Sequence, residues 1–454
     1  MTSVHDETGP RPDEHRATDY VSGPYAPVTD EITAFDLPVD GEIPEQLEGR
    51  YLRNGPNPSG PVDPATHHWF MGDGMVHGLR LRGGRAEWYR NRYVAPAGDA
   101  DDGFGPNTNV AGFAGTTWAT VEAGVPPFEL SYELDPVGAN RFSGTLPNGF
   151  TAHPKLDPAT GELHAVAYSW AELLDHVQYL VVGVDGRVRR AVDVRLPGMS
   201  MVHDMSLTER YAIVYDQPCT VDLDVALAGR FPFRWDPDYG NRVGLLPREG
   251  EATDIIWIDV PLGYSFHPLN AYDTDGGGVV IDLCVYDRIF DRDVNGPAAD
   301  GLPRLERWEL DPAHRRATTT VLDERPNEFP RHRGELTGRP HRFGYCVSNA
   351  DDLTAGWPTV KHDLVTGERW ELDHGPGRIS GEPVFVGRPG SDPVADEDDG
   401  WLLTFVHGAS STEFVILDAR DLARGPVAQV PLPQRVPLGF HGNWVSDDIV
   451  APPS

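Results

Sequence analysis

Apolar and polar residues alternate along much of this chain with a period near two, the signature of half-buried strands. Tyr51-Leu-Arg-Asn-Gly-Pro-Asn-Pro58 reads as a strand entering a tight turn, and strands follow at Val76-His-Gly-Leu-Arg-Leu81 and Ala86-Glu-Trp-Tyr-Arg-Asn-Arg-Tyr-Val94. One device then recurs: a strand, an Asp-Pro or Thr-Gly turn, and a second strand. It is seen around Asp157, Asp311 and Asp363, and again at Asp418. The last three aspartates are 52 and 55 residues apart, a loosely kept interval of the size of a propeller blade. Only Ala171-Glu-Leu-Leu-Asp-His176 and Asp224-Val-Ala-Leu-Ala-Gly229 offer short helical patterns. The expectation is an all-β chain folded as a β-propeller, whose radial blades leave few exposed edges. Residues 1–30, polar and without periodicity, read as a flexible acidic arm, and residues 31–454 as one propeller domain.

Composition narrows the function. At 454 residues the chain can bury a large core. Its 70 Asp and Glu against 38 Lys and Arg give a formal charge of −32, which disfavours nucleic acid and anionic membrane surfaces. Cys219, Cys284 and Cys346 are odd in number and widely spaced, so a reducing, cytoplasmic setting is expected rather than a disulfide framework. No apolar run approaches the roughly 20 residues of a membrane span. The acid-rich stretch from Asp392 to Asp399 reads as a solvated loop.

Among 17 histidines, four sit in apolar, strand-like settings: His153, His203, His267 and His441. The intervals of 50, 64 and 174 residues mean that only the tertiary fold can bring them together. On the axis of a propeller, where inner strands converge, they would form a metal site. His77 and His407 compete as buried structural histidines. Carboxylates embedded in apolar strands, Glu122, Glu328 and Glu382, are candidates to accept the Nδ1 proton of a ligating imidazole and so fix its tautomer. A set of four imidazoles suits iron, zinc, copper or nickel. The residues themselves leave open a metal-dependent propeller hydrolase, although calcium sites there use oxygen ligands. They also leave open a non-catalytic propeller that presents one face to a partner.

Over most of its length the chain resembles the carotenoid cleavage oxygenases, a family that also holds lignostilbene dioxygenases and a retinoid isomerase branch. The resemblance is carried by Gly49-Arg-Tyr-Leu-Arg-Asn-Gly-Pro-Asn-Pro58, Gly72-Asp-Gly-Met-Val-His77, Asn107-Thr-Asn-Val110, Phe150-Thr-Ala-His-Pro-Lys155 and His203-Asp204. It continues through Phe266-His267, Glu328-Phe-Pro-Arg331, Gly381-Glu-Pro-Val-Phe-Val386 and Gly439-Phe-His-Gly-Asn-Trp444. It implies a seven-bladed propeller capped by loops and a short helix. One iron(II) per chain would sit on the axis, held by His153, His203, His267 and His441. It further implies that Glu122, Glu328 and Glu382 support His203, His267 and His441, leaving His153 without a carboxylate. The implied reaction is cleavage of a carbon–carbon double bond by dioxygen to two carbonyl products, without an organic cofactor; isomerisation without cleavage occurs on the same fold.

The implied substrate is a small lipophilic polyene or stilbene in an apolar tunnel. The stretch from Cys219 to Trp235, with Leu227, Phe231, Phe233 and Trp235, is expected to shape the tunnel mouth, touch lipid transiently, or simply pack on the top face. Stilbene-cleaving relatives resemble one another in gripping a phenol with a tyrosine and a lysine. Tyr93 could serve the first role, but no lysine lies between Asn91 and Val110. Val436-Pro-Leu-Gly-Phe-His-Gly442 is similar to carotenoid-cleaving members, so a carotenoid or apocarotenoid is preferred over a hydroxystilbene.

Overall fold

In the computed structural model, which describes residues 19–95, 105–122, 124–168, 174–297, 300–349 and 353–450, the turn aspartates organise the hairpins. Asp157 accepts from Ala159 N and Thr160 Oγ1, both at 2.9 Å, and Asp363 accepts from Val365 N at 3.0 Å and Thr366 N at 3.2 Å. These Asx bonds satisfy the corner amides and fix the strand register. Asp311, Asp363 and Asp418 close the third-to-fourth strand turns of successive blades, which is why their intervals are nearly equal.

Seven antiparallel sheets form the blades of a β-propeller. Five are four-stranded meanders in chain order, spanning 109–139, 155–195, 205–259, 268–323 and 328–372. The other two are assembled from both ends of the chain. Asp40–Gly41 pairs with Pro426–Pro431, and the late strand Gly442–Ser446 pairs with Gly49–Pro56, with Arg53 opposite Gly442. The ring is thus closed by strand pairing immediately after His441. Apolar faces of neighbouring blades pack on one another. Tyr51, Leu79 and Tyr89 meet Phe405, Phe414 and Ile416 at the closure, and Ile213, Val243 and Leu245 meet Ile281, Leu283 and Trp308 elsewhere. Each such buried side chain contributes about 1.5–3 kcal/mol.

Two expectations are corrected, for the arm and for the first helical candidate, and the Cys219 stretch takes a definite form. Residues 1–18 of the expected arm lie outside the described residues, but from Asp19 onward the chain is packed rather than flexible. Tyr20, Tyr25 and Val28 are buried, with Tyr20 stacked on Trp69 at 5.7 Å and Tyr25 edge-on to it at 5.4 Å. Isolated aromatics in a polar stretch leave no periodicity, so this packing is invisible to pattern reading. The Cys219 stretch forms a ribbon, Cys219–Val221 with Phe233–Trp235, around the short helix Leu223–Leu227. Its Phe231 and Phe233 pack inward, Phe231 stacking on His68 at 3.6 Å, while Leu223 and Leu227 are the exposed apolar residues. The first helical candidate lies partly outside the described residues, and its last residue, His176, opens a strand.

Candidate metal centre

His153, His203 and His267 each immediately or nearly precede the first strand of a blade, at Lys155–Leu156, Met205–Leu207 and Pro268–Asp273. His441 precedes the closing strand Gly442–Ser446. The inner strands start near the axis, so residues far apart in sequence meet there. All four imidazoles are buried, and one ring nitrogen from each lies within 4.8 Å of the others. His203 Nε2 is 3.1 Å from His153 Nε2 and 3.2 Å from His267 Nε2.

Backbone contacts seat His441. Asn54 N donates to His441 O at 3.0 Å, and His441 N donates to Thr108 O at 3.1 Å. The approach requires glycine on both chains, because a Cβ on Gly439 would lie 2.9 Å from the Gly55 Cα.

The outer ring nitrogens are held by carboxylates. His267 Nδ1 is 2.6 Å from Glu328 Oε2, His441 Nδ1 is 3.0 Å from Glu382 Oε1, and His203 Nδ1 meets Glu122 Oε2. Tyr168 donates to the other Glu122 oxygen at 3.2 Å. His153 Nδ1 lies 3.7 Å from Asp204 Oδ2, beyond hydrogen-bond reach, and Lys155 Nζ takes Asp204 at 2.8 Å. Between Glu328 and Arg331 the strand bulges, with Phe329 at φ +51°, so that the Phe329 ring stacks on His267 at 5.4 Å. A bulky residue with positive φ is costly and is retained only where the surroundings dictate it.

Burial pushes the His441 pKa down to about 3 despite Glu382. Burial, reinforced by the three other imidazoles, holds His153 well below its ordinary value. For His267 burial acts downward too, but Glu328 outweighs it and raises the pKa. Burial opposes ionisation of Glu382, yet Arg331 and His441 hold it well below the usual carboxylate range.

This donor set fits a divalent cation. With three Nδ1 atoms committed to carboxylates, the Nε2 lone pairs point inward, the orientation a metal needs. Three buried carboxylates facing the imidazoles also give the cluster acceptor oxygens whose charge a bound cation would help to offset.

Two cavities meet at the cluster. One touches His203, His267 and His441 and is walled by Trp69, Phe70, Phe266, Phe329, Trp357 and Phe440. The other touches His153, His267 and His441 and is the more polar of the two, with Lys155, Asp204, Arg331 and His332 on its border. His77 and His407 stand apart as structural residues, bonded to Tyr89 Oη at 2.8 Å and to Val436 O at 3.0 Å. Tyr93 does not line the apolar cavity: its hydroxyl accepts from Asn57 Nδ2 at 2.8 Å. Sequence reasoning missed the role of Arg331, although the run Glu328-Phe-Pro-Arg331 contains it. It also missed the contribution of Tyr20 and Tyr25 to the cavity wall.

Comparison with known proteins agrees with this geometry. The family model described as retinal pigment epithelial membrane protein matches residues 25–446. A carotenoid cleavage oxygenase of Mycobacterium tuberculosis is 44% identical, with 94% of this chain and 97% of that protein covered. Among solved structures, a lignostilbene dioxygenase of Pseudomonas brassicacearum has a TM-score of 0.85 at 29% identity, covering 94% of this chain and 98% of that one. A variant of Synechocystis apocarotenoid oxygenase has a TM-score of 0.83 at 27% identity, covering 93% and 98%. The chain belongs to the carotenoid cleavage oxygenase family, within the retinal pigment epithelial membrane protein model.

Proposed function

We propose that this protein is a non-haem iron(II) dioxygenase that cleaves a carbon–carbon double bond of a carotenoid or apocarotenoid to two carbonyl products. The observation that carries the reading is the convergence of four buried imidazole nitrogens at the wall of an apolar, aromatic cavity. His153, His203, His267 and His441 would hold the iron, with Glu122, Glu328 and Glu382 orienting three of them. Iron(II) bound there would supply dioxygen activation. One double bond and one O2 become two C=O bonds, so the balance needs no external reductant.

The protein's own contribution is positioning. Glu122, Glu328 and Glu382 hold the Nδ1 side of three imidazoles and keep the Nε2 lone pairs directed inward. Trp69, Phe70, Phe329 and Phe440 offer flat apolar faces to a conjugated chain and exclude water around it. Selectivity on this reading follows from where the double bond comes to rest relative to His203, His267 and His441. A cytoplasmic location belongs to the same reading, supported by three free, buried cysteines. Among the described residues no helix is long and apolar enough to cross a membrane.

A hydroxystilbene is the second reading, favoured by the likeness to the lignostilbene dioxygenase structure. The engagement of Tyr93 with Asn57, away from the cavity wall, weighs against the tyrosine expected to grip a phenol. The test is metal analysis of anaerobically purified protein, paired with single-turnover assays on an apocarotenal and a hydroxystilbene under oxygen. Near-stoichiometric iron with aldehyde products supports the reading and selects the branch. No cleavage of either substrate after iron(II) reconstitution would sink it.

A further inference from the structure

We infer that Tyr25 is a specificity-determining residue, whose hydroxyl donates a hydrogen bond to an oxygen atom at one end of the substrate. The inference rests on the proposed use of the apolar cavity and adds which member of the substrate class it selects: an oxygen-terminated conjugated chain over its hydrocarbon counterpart.

Tyr25 lines the cavity and is 6% exposed. Several other donor-bearing side chains on this wall are engaged. Tyr20 Oη reaches Asp293 at 3.5 Å, Trp69 Nε1 donates to Leu438 O at 3.4 Å, and Thr108 Oγ1 donates to Asn107 at 3.0 Å. Tyr286 is influenced by the neighbouring Asn349 and Glu328 side chains. Among the described residues, no group of the chain bonds the Tyr25 hydroxyl, and its oxygen keeps accessible area on a residue that is otherwise buried in the cavity wall, so the donor is free to meet a ligand. A ligand that fills this space either offers the hydroxyl an acceptor or leaves it unpaired, which favours an oxygen over a methyl group in the same place.

The residue is also held rigidly. Leu438 N donates to Pro24 O at 2.8 Å, and Arg435 bonds Pro24 O, Ala26 O and Pro27 O, pinning the chain on both sides of Tyr25. The segment that pins it, Arg435 to Leu438, runs directly into Phe440 and His441. Ring contacts continue the connection, from Tyr25 to Trp69 at 5.4 Å and from Trp69 to Phe440 at 4.9 Å. Tyr25 is thereby fixed relative to the histidine cluster, as a residue must be if it sets which bond lies beside that cluster.

The experiment compares wild type with Tyr25→Phe, which keeps the ring and its packing. Two pairs of ligands are used: an apocarotenal with its deoxygenated hydrocarbon, and 4-hydroxystilbene with stilbene. Binding is read by quenching of tryptophan fluorescence without iron, since Trp69 and Trp357 line the cavity, and cleavage is read separately on iron-loaded protein. The expected result is a loss of about five- to tenfold in affinity for one oxygenated ligand in the variant, with its hydrocarbon partner unchanged. The responding pair identifies whether the oxygen is a carbonyl or a phenol. Equal effects within both pairs, or no effect in either, would overturn the inference. Wild type that binds with the expected selectivity yet cleaves nothing would remove the oxygenase reading and leave Tyr25 in place; wild type that binds none of the four removes both.

Discussion

Arg331 grips Glu382 with two nitrogens: Nε lies 2.8 Å from Oε1, and Nη2 donates to Oε2 at 3.0 Å. The same carboxylate holds His441 Nδ1 and accepts from Gly442 N at 2.9 Å. Arg331 therefore acts on the histidine cluster through Glu382, from the neighbouring blade. Replacing it by methionine leaves a buried carboxylate without its counter-ion and frees it to turn. We expect Arg331→Met to weaken iron(II) affinity by about 10–100-fold, the usual range when a ligand's supporting partner is lost. Anaerobic competition against a chelator measures this, with far-ultraviolet circular dichroism confirming the fold. Unchanged affinity would show that Gly442 N alone orients Glu382.

Buried neutral histidines outside the cluster make acid stability a second test. Burial, helped by Arg53 and Arg435, pushes His77 down to about 3, and its Nδ1 pairs with Tyr89. The unfolded chain takes up this proton near pH 6.5 or so. Between that pH and about 3 the unfolded state binds more protons, so stability falls as pH falls through the window. At pH 5 His77 alone accounts for a loss of about 2 kcal/mol relative to pH 7. His77→Gln should be less stable at pH 7 through its altered bond to Tyr89, yet show a shallower decline from pH 7 to 5. Denaturant titrations at the two pH values decide it, and parallel declines in the two proteins would be the contrary result.

How much of this was legible in the sequence depends on what each signal required. The four histidines stood out because polar rings in apolar strands are conspicuous, and Glu122, Glu328 and Glu382 did so for the same reason. The turn aspartates at 311, 363 and 418 carried the blade interval because the third-to-fourth hairpin is built alike each time. What stayed hidden depends on partners remote in sequence. Tyr20 and Tyr25 looked like parts of a flexible arm because Trp69, which they cover, is more than 40 residues away. For Phe231 and Phe233 the sequence left a tunnel mouth, lipid contact and simple packing open, because it cannot say whether an aromatic loop turns inward, as these two rings do, Phe231 onto His68. Tyr93 was a candidate to grip a phenol, but its hydroxyl is taken by Asn57, just past the end of the strand Gly49–Pro56.

Phe329 offers a test in which the usual order of two substitutions reverses. Its φ of +51° costs any side-chain-bearing residue on the order of 1–3 kcal/mol but costs glycine little. Phe329→Ala and Phe329→Gly both remove the stack on His267 and open the cavity wall, so both should lose catalytic efficiency. In an ordinary strand glycine is the less stable of the two by roughly 0.5–1 kcal/mol. Here we expect Phe329→Gly to equal or exceed Phe329→Ala in stability, measured by denaturant midpoint. Finding alanine clearly the more stable would mean that the bulge relaxes once the ring is gone.

The contact of Gly439 with Gly55 sets where His441 can stand. A Cβ on Gly439 would lie 2.9 Å from the Gly55 Cα and 3.2 Å from Asn54 O, and neither is a flexible side-chain end that could move aside. Phe440 N to Asn54 O, at 3.2 Å, and Asn54 N to His441 O, at 3.0 Å, tie the two chains just beyond that contact. An added methyl must therefore push the His441 backbone away from its neighbour, and with it the imidazole from the other three. Overpacking of this kind costs about 1–3 kcal/mol in stability. The displacement should also lower iron(II) affinity by at least about tenfold, because ligand geometry tolerates only small errors. Gly60→Ala is the control, since nothing lies within 4 Å of its added methyl. Gly439→Ala protein that loses stability but binds iron like wild type would show that the cluster re-forms around a shifted strand; full retention of both would show that the two chains separate without cost.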